Sequence, residues 1–353
     1  MFTRHNTKII RVGSVPIGGG SPITIQSMTN TDTRDRQATL RQIQQLTAAG
    51  CEIVRLAVPD REAAANLTYL VGRAKVPLVA DIHFDYRLAL AAIDAGIAKL
   101  RLNPGNIGNP QRIAPVAARA KERGIPIRIG VNAGSLEADL LTKYQGPTPA
   151  AMVESALRHV RLLEDQDFHD MVISLKASSV PATIAAYRQL AEVCAYPLHI
   201  GITEAGTRNK GAVRSAVGLG ILLWEGLGDT LRVSLTGDPV HEVAVGREIL
   251  QALDIRHFGP TVISCPTCGR TQVDLETLAT QVEALVADLK QPLKIAVMGC
   301  AVNGPGEARE ADLGVAGGKG EGLIFRRGAI IRKVPETEII AALREELERL
   351  SDN

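Results

Sequence analysis

PLVADIHFDYRLALAAIDAGIAKLRLNP, residues 77–104, holds one full turn of the pattern that organises most of this chain. A short apolar run, PLVADIH (77–83), ends in polar residues. An Ala/Leu-rich segment, YRLALAAIDAG, follows with helical character, and AKLRLNP (98–104) starts the next apolar run. The same strand signal recurs in ITIQSM (23–28), EIVRLAV (52–58), PIRIGVN (126–132), MVISLKA (171–177), PLHIGIT (197–203) and LRVSLTG (231–237). Between them lie helical segments such as TLRQIQQLTAAG, QRIAPVAARAKERG, AMVESALRHVRLLED and TIAAYRQLAEVC. Eight strand–helix units over about 250 residues is the count and size of a TIM (β/α)8 barrel. A doubly wound sheet would alternate in the same way. The eightfold regularity, and the lack of an early Gly-rich dinucleotide loop, favour the barrel. HEVAVGREILQAL (241–253) closes the eighth unit.

After that helix the rhythm changes. DIRHFGPTVISCPTCGR leads through a strand to a Cys-x-x-Cys motif. DLETLATQVEALVADLK is helical, LKIAVMGC a strand, and ADLGVAGG, EGLIFRRG and AIIRKVP are short strands before a closing helix, ETEIIAALREELERL. The expected architecture is therefore α/β: a barrel over 1–255, then a small α+β domain over 256–353. IGGGSP (17–22) reads as a hairpin turn before the first barrel strand. GGKGEG (317–322) reads as a turn, because it lacks Walker spacing and a following helix.

Bulk properties narrow the function. The net charge is +2 and aromatics are 3% of residues, which gives no bulk case for nucleic-acid or membrane-surface binding. The opening residues, MFTRHNTKIIRVGS, contain no apolar run of the kind a secretion signal needs, and no stretch is long enough to span a bilayer. A cytoplasmic location is expected. Five cysteines, an odd number, argue against a disulfide scaffold.

In such a barrel the chemistry sits at the C-terminal ends of the strands, where side chains alternate faces with period two. The polar residues inside the apolar strands share one parity. They are Arg55; Asp81 and His83; Arg101 and Asn103; Arg128 and Asn132; Ser174 and Lys176; and Ser234 and Thr236, with Glu204 just after the seventh strand. If they point inward, four cations face Asp81 and Glu204. Unbalanced buried cations are costly without an anion, and the guanidinium fork matches phosphate oxygens. The expected ligand is a phosphorylated small molecule, with two phosphates favoured over one.

Cys265-Pro-Thr-Cys268 has the spacing of a metal knuckle, and Cys300 in MGCAVNGPGEA adds a third thiol at a strand end. Cys51 and Cys194 precede strands and read as buried apolar residues. With three cysteines the fourth ligand must differ. His257 would complete a structural zinc site. Glu307, in the Gly-Pro-Gly turn after Cys300, would leave one iron of a cluster open to a substrate oxygen.

SCPTCGR and MGCAVNGPGEA resemble the signature of the 4-hydroxy-3-methylbut-2-enyl diphosphate synthases. IQSMTNTDT, VRLAVP, VADIHFD, LRLNPGN, RIGVNAGSL, SLKAS, ITEAG and SLTGDP resemble the same family's barrel segments. The resemblance implies a two-domain bacterial form that acts on 2-C-methyl-D-erythritol 2,4-cyclodiphosphate in the non-mevalonate route to isoprenoids. It implies a [4Fe-4S] cluster on Cys265, Cys268, Cys300 and Glu307. It places the diphosphate on Arg55, Arg101, Arg128, Asn132 and Lys176, with Asp81, Asn103, Glu204 and Ser234 also in the pocket. The electron donor it implies is a flavodoxin or ferredoxin. Glu204 is the expected proton donor, and His83 an expected pocket residue. The competing reading is a non-redox lyase or pterin-synthase-like barrel with a zinc-stabilised appendage. Topology adds an expectation about assembly. The eighth helix returns the chain to the end of the barrel away from the mouth, and residues 254–264 can extend over at most about 35–40 Å. A head-to-tail homodimer, with each cluster domain capping its partner's barrel, is expected, and family resemblance points the same way.

Overall fold

The computed structural model describes residues 3–83, 85–102, 110–301, 306 and 308–351. Two short strands, β1 (Ile10–Val12) and β2 (Val15–Ile17), pair as an antiparallel hairpin. Eight strands follow: β3 (Thr24–Met28), β4 (Ile53–Ala57), β5 (Leu78–Ile82), β6 (Lys99–Leu102), β7 (Ile127–Asn132), β8 (Met171–Lys176), β9 (His199–Ile200) and β10 (Thr230–Leu231). Their order in the sheet is β8-β7-β6-β5-β4-β3-β10-β9, and each ladder is parallel. The two ends of that order meet. Leu198 bridges Ile173 of β8 in parallel, and the Ile173 N–H donates to the Pro197 carbonyl at 2.9 Å. The sheet is thus a closed barrel, as the eightfold repeat predicts.

The strands are buried along their length, which is why they read as near-continuous apolar runs. Helices pack around the sheet, and their starts are written in the sequence. Asp35 accepts from the Gln37 and Ala38 amides, Asp85 from Arg87, and Thr148 from Ala151 with Pro149 in the first turn. The hairpin packs Val12 and Ile17 against Ile53 and Val79, residues at the starts of β4 and the neighbouring β5. The expected turn at 17–22 needs correcting. The hairpin reverses at Gly13–Ser14, and Gly18–Gly20 form the link from β2 to β3, closed by Ser21 N–H to Gly18 O at 3.0 Å. Gly18 has φ +85 and no room for a Cβ, which would lie 2.1 Å from the Lys8 carbonyl, so glycine is required there by packing as well as by backbone.

The chain divides into two compact units, Met1–Leu253 and Asp254–Asn353. The division falls slightly before the expected 255/256, where helix Val240–Ala252 ends and Asp254 takes a left-handed φ of +52. The second unit is a five-stranded sheet in the order β11 (Thr261–Ser264), β12 (Lys294–Met298), β13 (Leu313–Gly318), β14 (Glu321–Arg326), β15 (Ala329–Pro335). The first three run parallel and the last two add antiparallel. Helices Leu275–Val286 and Ile339–Ser351 bury Leu278, Val282, Leu343 and Leu347 against Ile295, Val297 and Val315 of this sheet. Gly317–Gly322 forms the tight reversal between β13 and β14, as expected.

Candidate active site

Inward-facing residues near the C-terminal ends of the strands enclose a cavity of about 130 Å³ at the barrel mouth. Arg55, Asp81, Arg101, Arg128 and Lys176 line it, together with His83, Asn132, Ser174 and Ser234. The expected parity is therefore observed across the register: Arg55 pairs in ladder with Val79, Asp81 with Arg101, Arg101 with Arg128, and Asn132 with Lys176. The lining also includes Arg232, Thr203 and Gly130, which the sequence reading did not single out. Arg232 shares the parity of Ser234 and Thr236, so the signal was present. Thr236 lies outside: it is exposed, and its backbone bridges Thr207. Glu204 sits in an exposed turn beside Thr203, with a left-handed φ of +52, and is not among the lining residues. Asn103 and Glu307 lie outside the described residues.

Among the described residues Asp81 is the one carboxylate in the lining, and it orders the cations around it. Its Oδ1 accepts from Arg101 Nη1 at 3.0 Å, and its Oδ2 lies 3.7 Å from Arg55 Nε and 3.4 Å from His83 Nε2. Burial by itself would raise the Asp81 pKa. The Arg55 guanidinium, then His83 and Arg101, outweigh it and hold the carboxyl well below the ordinary range. Gly130 lets Arg101 lie flat over the β7 backbone, since a Cβ there would come within 2.7 Å of Arg101 Nε.

Arg128 and Lys176 are far less well matched. Arg128 is 1% exposed, and among the described residues its Nε and Nη1 have no hydrogen-bond partner. Burial, then Arg55 and Arg101, push its pKa well below the usual guanidinium value. Burial and Arg128 do the same to Lys176. Burial brings Arg55 down to about 10, against the pull of Asp81. Deeper in the barrel Lys99 meets Gln26 Oε1 at 3.4 Å, and both ring nitrogens of buried His199 lack a partner among the described residues. Five cationic side chains therefore line a small cavity with one carboxylate; Glu242 pairs with Arg232 from outside the lining, and among the described residues Arg101 Nε and Arg128 Nε and Nη1 have no hydrogen-bond partner. An anion with many oxygens, such as a diphosphate, supplies what is missing.

In the second unit Cys265 follows β11 and Cys300 follows β12, so both leave the same edge of an adjacent parallel pair. The Gly299 N–H donates to Cys265 Sγ at 3.2 Å, and Gln272 N–H returns the Cys-x-x-Cys loop to the Gly299 carbonyl at 2.9 Å. Cys268 is exposed, and its pKa is lowered by hydrogen bonding to the Arg270 backbone. Three soft sulfur donors, two just past the ends of adjacent strands and one in the exposed loop between them, suit a thiolate-bound metal group in chemistry. Among the described residues no three such donors stand close enough together to hold one ion. Cys51 and Cys194 are buried, as expected, and burial pushes the Cys51 thiol up to about 12.

The comparisons with known proteins agree with this division. The family profile for the GcpE TIM-barrel domain matches residues 7–247, and that for the GcpE protein C-terminal domain matches 261–349. A relative from Ruminiclostridium cellulolyticum is 58% identical over 98% of both chains, and one from Geobacter sulfurreducens is 61% identical over the same shares. Both are named 4-hydroxy-3-methylbut-2-en-1-yl diphosphate synthase (flavodoxin). Among solved structures, N-acetylneuraminic acid synthetase from Leptospira borgpetersenii aligns at TM-score 0.51 and 13% identity, covering 71% of this chain and 92% of that one. Dihydropteroate synthase from Stenotrophomonas maltophilia aligns at 0.50 and 14%, covering 66% and 92%. At such identities these two speak for the barrel alone. The two matched domains and the full-length relatives show that this chain belongs to the GcpE family.

Proposed function

We propose that this protein catalyses the reductive opening of 2-C-methyl-D-erythritol 2,4-cyclodiphosphate to 4-hydroxy-3-methylbut-2-enyl diphosphate. The observation that carries the reading is the unmatched cationic cavity at the barrel mouth. The non-redox lyase alternative is not favoured, because the relatives matched over nearly the whole chain carry the diphosphate synthase name.

In this proposal Arg55, Arg101, Arg128, Arg232 and Lys176 hold the diphosphate, and Ser234, Asn132 and Thr203 offer neutral hydrogen bonds. Asp81 binds no phosphate. It fixes Arg55, Arg101 and His83 at the distances given above. Ring opening breaks a carbon–oxygen bond and leaves an extra anionic oxygen on the diphosphate, while a hydroxyl leaves with a proton as water and two electrons are consumed. The cavity's surplus positive charge is therefore better matched to the opened form than to the closed one, which is the direction catalysis requires. Glu204, next to Thr203, is proposed as the proton donor to the departing hydroxyl. A closure that brings its exposed side chain inward is part of this reading. Cys265, Cys268, Cys300 and Glu307 are proposed to hold a [4Fe-4S] cluster. Such a cluster supplies electrons singly and a Lewis-acidic iron. The electron donor is proposed to be a flavodoxin, as in the names of the relatives. A cytoplasmic location and a head-to-tail homodimer complete the proposal. No helix among the described residues is long and apolar enough to cross a membrane.

The test is turnover of the cyclic diphosphate by anaerobically purified protein with reduced flavodoxin, alongside its absorption and electron paramagnetic resonance spectra. A brown, oxygen-labile, active sample supports the proposal. A colourless, zinc-loaded sample without turnover overturns it. Pairing is tested by mixing Glu204→Gln with Cys265→Ala under subunit exchange. Recovered activity supports a shared site, and a dead mixture after verified exchange removes it.

A further inference from the structure

Glu242 lies in the first turn of helix Val240–Ala252, behind the cavity wall, and is 4% exposed. A buried carboxylate needs partners, and this one accepts four hydrogen bonds from three residues. Its Oε2 accepts from Ser27 Oγ at 2.9 Å and from Arg232 Nε at 3.2 Å. Its Oε1 accepts from Arg232 Nη2 at 3.3 Å and from the Leu235 N–H at 3.1 Å. One side chain thus ties together β3, the segment after β10 and the start of the next helix. The helix N-terminus adds its own favourable field for a negative charge.

The geometry at Arg232 follows from this grip. Glu242 engages the Nε/Nη2 edge of the guanidinium as a bidentate pair, so the group cannot rotate freely. Nη1 is left with no stronger partner among the described residues than Met28 Sδ, 3.6 Å away. The same sulfur receives Arg55 Nε at 3.0 Å. Arg232 stands close enough to Arg55 and Arg128 to disfavour their charges, so repulsion alone would drive its flexible side chain out of the cavity. The fixed carboxylate opposes that movement.

We propose that Glu242 is a positioning residue: it holds Arg232 in the cavity wall with Nη1 free for a phosphate oxygen. This rests on the reading of the cavity as a diphosphate site. The proposal makes a prediction of sign. Glu242 is a negative charge near an anion site, so simple electrostatics says that removing it tightens anion binding. Positioning says the reverse, because Arg232 is released.

The experiment is titration calorimetry of inorganic pyrophosphate into the anaerobically purified full-length protein, for Glu242→Gln, Glu242→Ala, Arg232→Met, Arg128→Ala and the Glu242→Gln/Arg232→Met double variant. The glutamine variant keeps the side-chain shape but loses the charge and one of the two accepting oxygens, so it breaks the bidentate grip and covers the case in which the alanine variant fails to fold. The expected result is a Kd raised about tenfold in Glu242→Gln and at least as much in Arg232→Met, with no further loss in the double variant. A merely structural role would lower thermal stability and leave the Kd of the folded fraction unchanged, which overturns the proposal. Tighter binding in Glu242→Gln, or additive losses in the double variant, also overturns it. If Arg128→Ala weakens binding and Arg232→Met does not, this inference fails while the diphosphate site stands. If neither weakens binding, the site itself is wrong.

Discussion

Arg128→Met changes the least compensated cation in the barrel, and the structure fixes the sign of two effects at once. Arg128 is 1% exposed, has two guanidinium nitrogens without partners among the described residues, and sits among Arg55, Arg101 and Lys176. Methionine fills much of the same volume without a charge. Replacing a poorly paired buried ion by an apolar side chain of similar size stabilises a fold by about 1–4 kcal/mol. A value of about 2 kcal/mol corresponds to a Tm rise of roughly 4–8 °C for a barrel of this size. The same change removes a charge-assisted contact to the anion, which costs about 1.5–3 kcal/mol of binding, or roughly 10- to 150-fold in Kd. Scanning fluorimetry of the ligand-free protein reads the first effect, and pyrophosphate calorimetry reads the second. The protein should become more stable and bind worse. A fall in Tm with unchanged affinity would refute the reasoning, since Arg128 would then be a satisfied structural residue.

Asp81→Asn should destabilise the barrel by about 3–5 kcal/mol in urea melts, because Arg55 and Arg101 lose their shared counter-charge. Wild-type stability in that variant would show the pairing to be idle. The Asp81 pKa is lowered in the fold, so its contribution is present above the unfolded value of 3.8 and is lost as pH falls toward the lower folded value. The asparagine variant should therefore lack part of the wild-type acid limb. Lys176 has the opposite linkage. Its folded pKa lies well below its unfolded 10.5, so between the two the unfolded chain binds more protons and stability rises with pH. In Lys176→Met that alkaline gain in Tm should shrink, and an identical slope in both proteins removes Lys176 as its source. Gly130→Ala should push Arg101 off Asp81 and weaken pyrophosphate binding about tenfold. Unchanged affinity would mean that Arg101 has another resting place.

The barrel was legible because its evidence is repeated. Each strand is a short apolar run buried on both faces, and most helices announce themselves with a cap such as Asp35, Asp85 or Thr148. What the pattern hid was local. β9 and β10 pair over two residues each, although their apolar runs are longer, and beyond them Thr203, Arg232 and Ser234 line the cavity. The reversal at Gly13–Ser14 was missed in favour of the richer glycine run after it. The second unit's strand order was beyond reach, because pairing of β11 with β12 across a helix is a tertiary choice.

The site was legible to the extent that period-two parity governs it. Arg55, Asp81, Arg101, Arg128 and Lys176 each sit on an inward position of a strand and could be gathered by counting. Arg232 obeys the same count, yet a single arginine among Ser234 and Thr236 gives no reason to prefer it until its neighbours are in place. Glu242 obeys no such count. It belongs to a helix, and in sequence it is an acidic residue in a first turn, where acidic residues are common for reasons of the dipole alone. Only the closed barrel brings its carboxylate under Arg232, Ser27 and Leu235. The two carboxylates then divide the work. Asp81 sits in the cavity wall and fixes Arg55 and Arg101, while Glu242 sits behind the wall and fixes Arg232. Arg128 and Lys176 are left without either. A pocket with all its cations paired would be more stable and would have little left to offer a diphosphate. The sequence shows the charges one by one, but which of them are left unpaired is a property of the fold, and the unpaired ones are those that an incoming anion must satisfy.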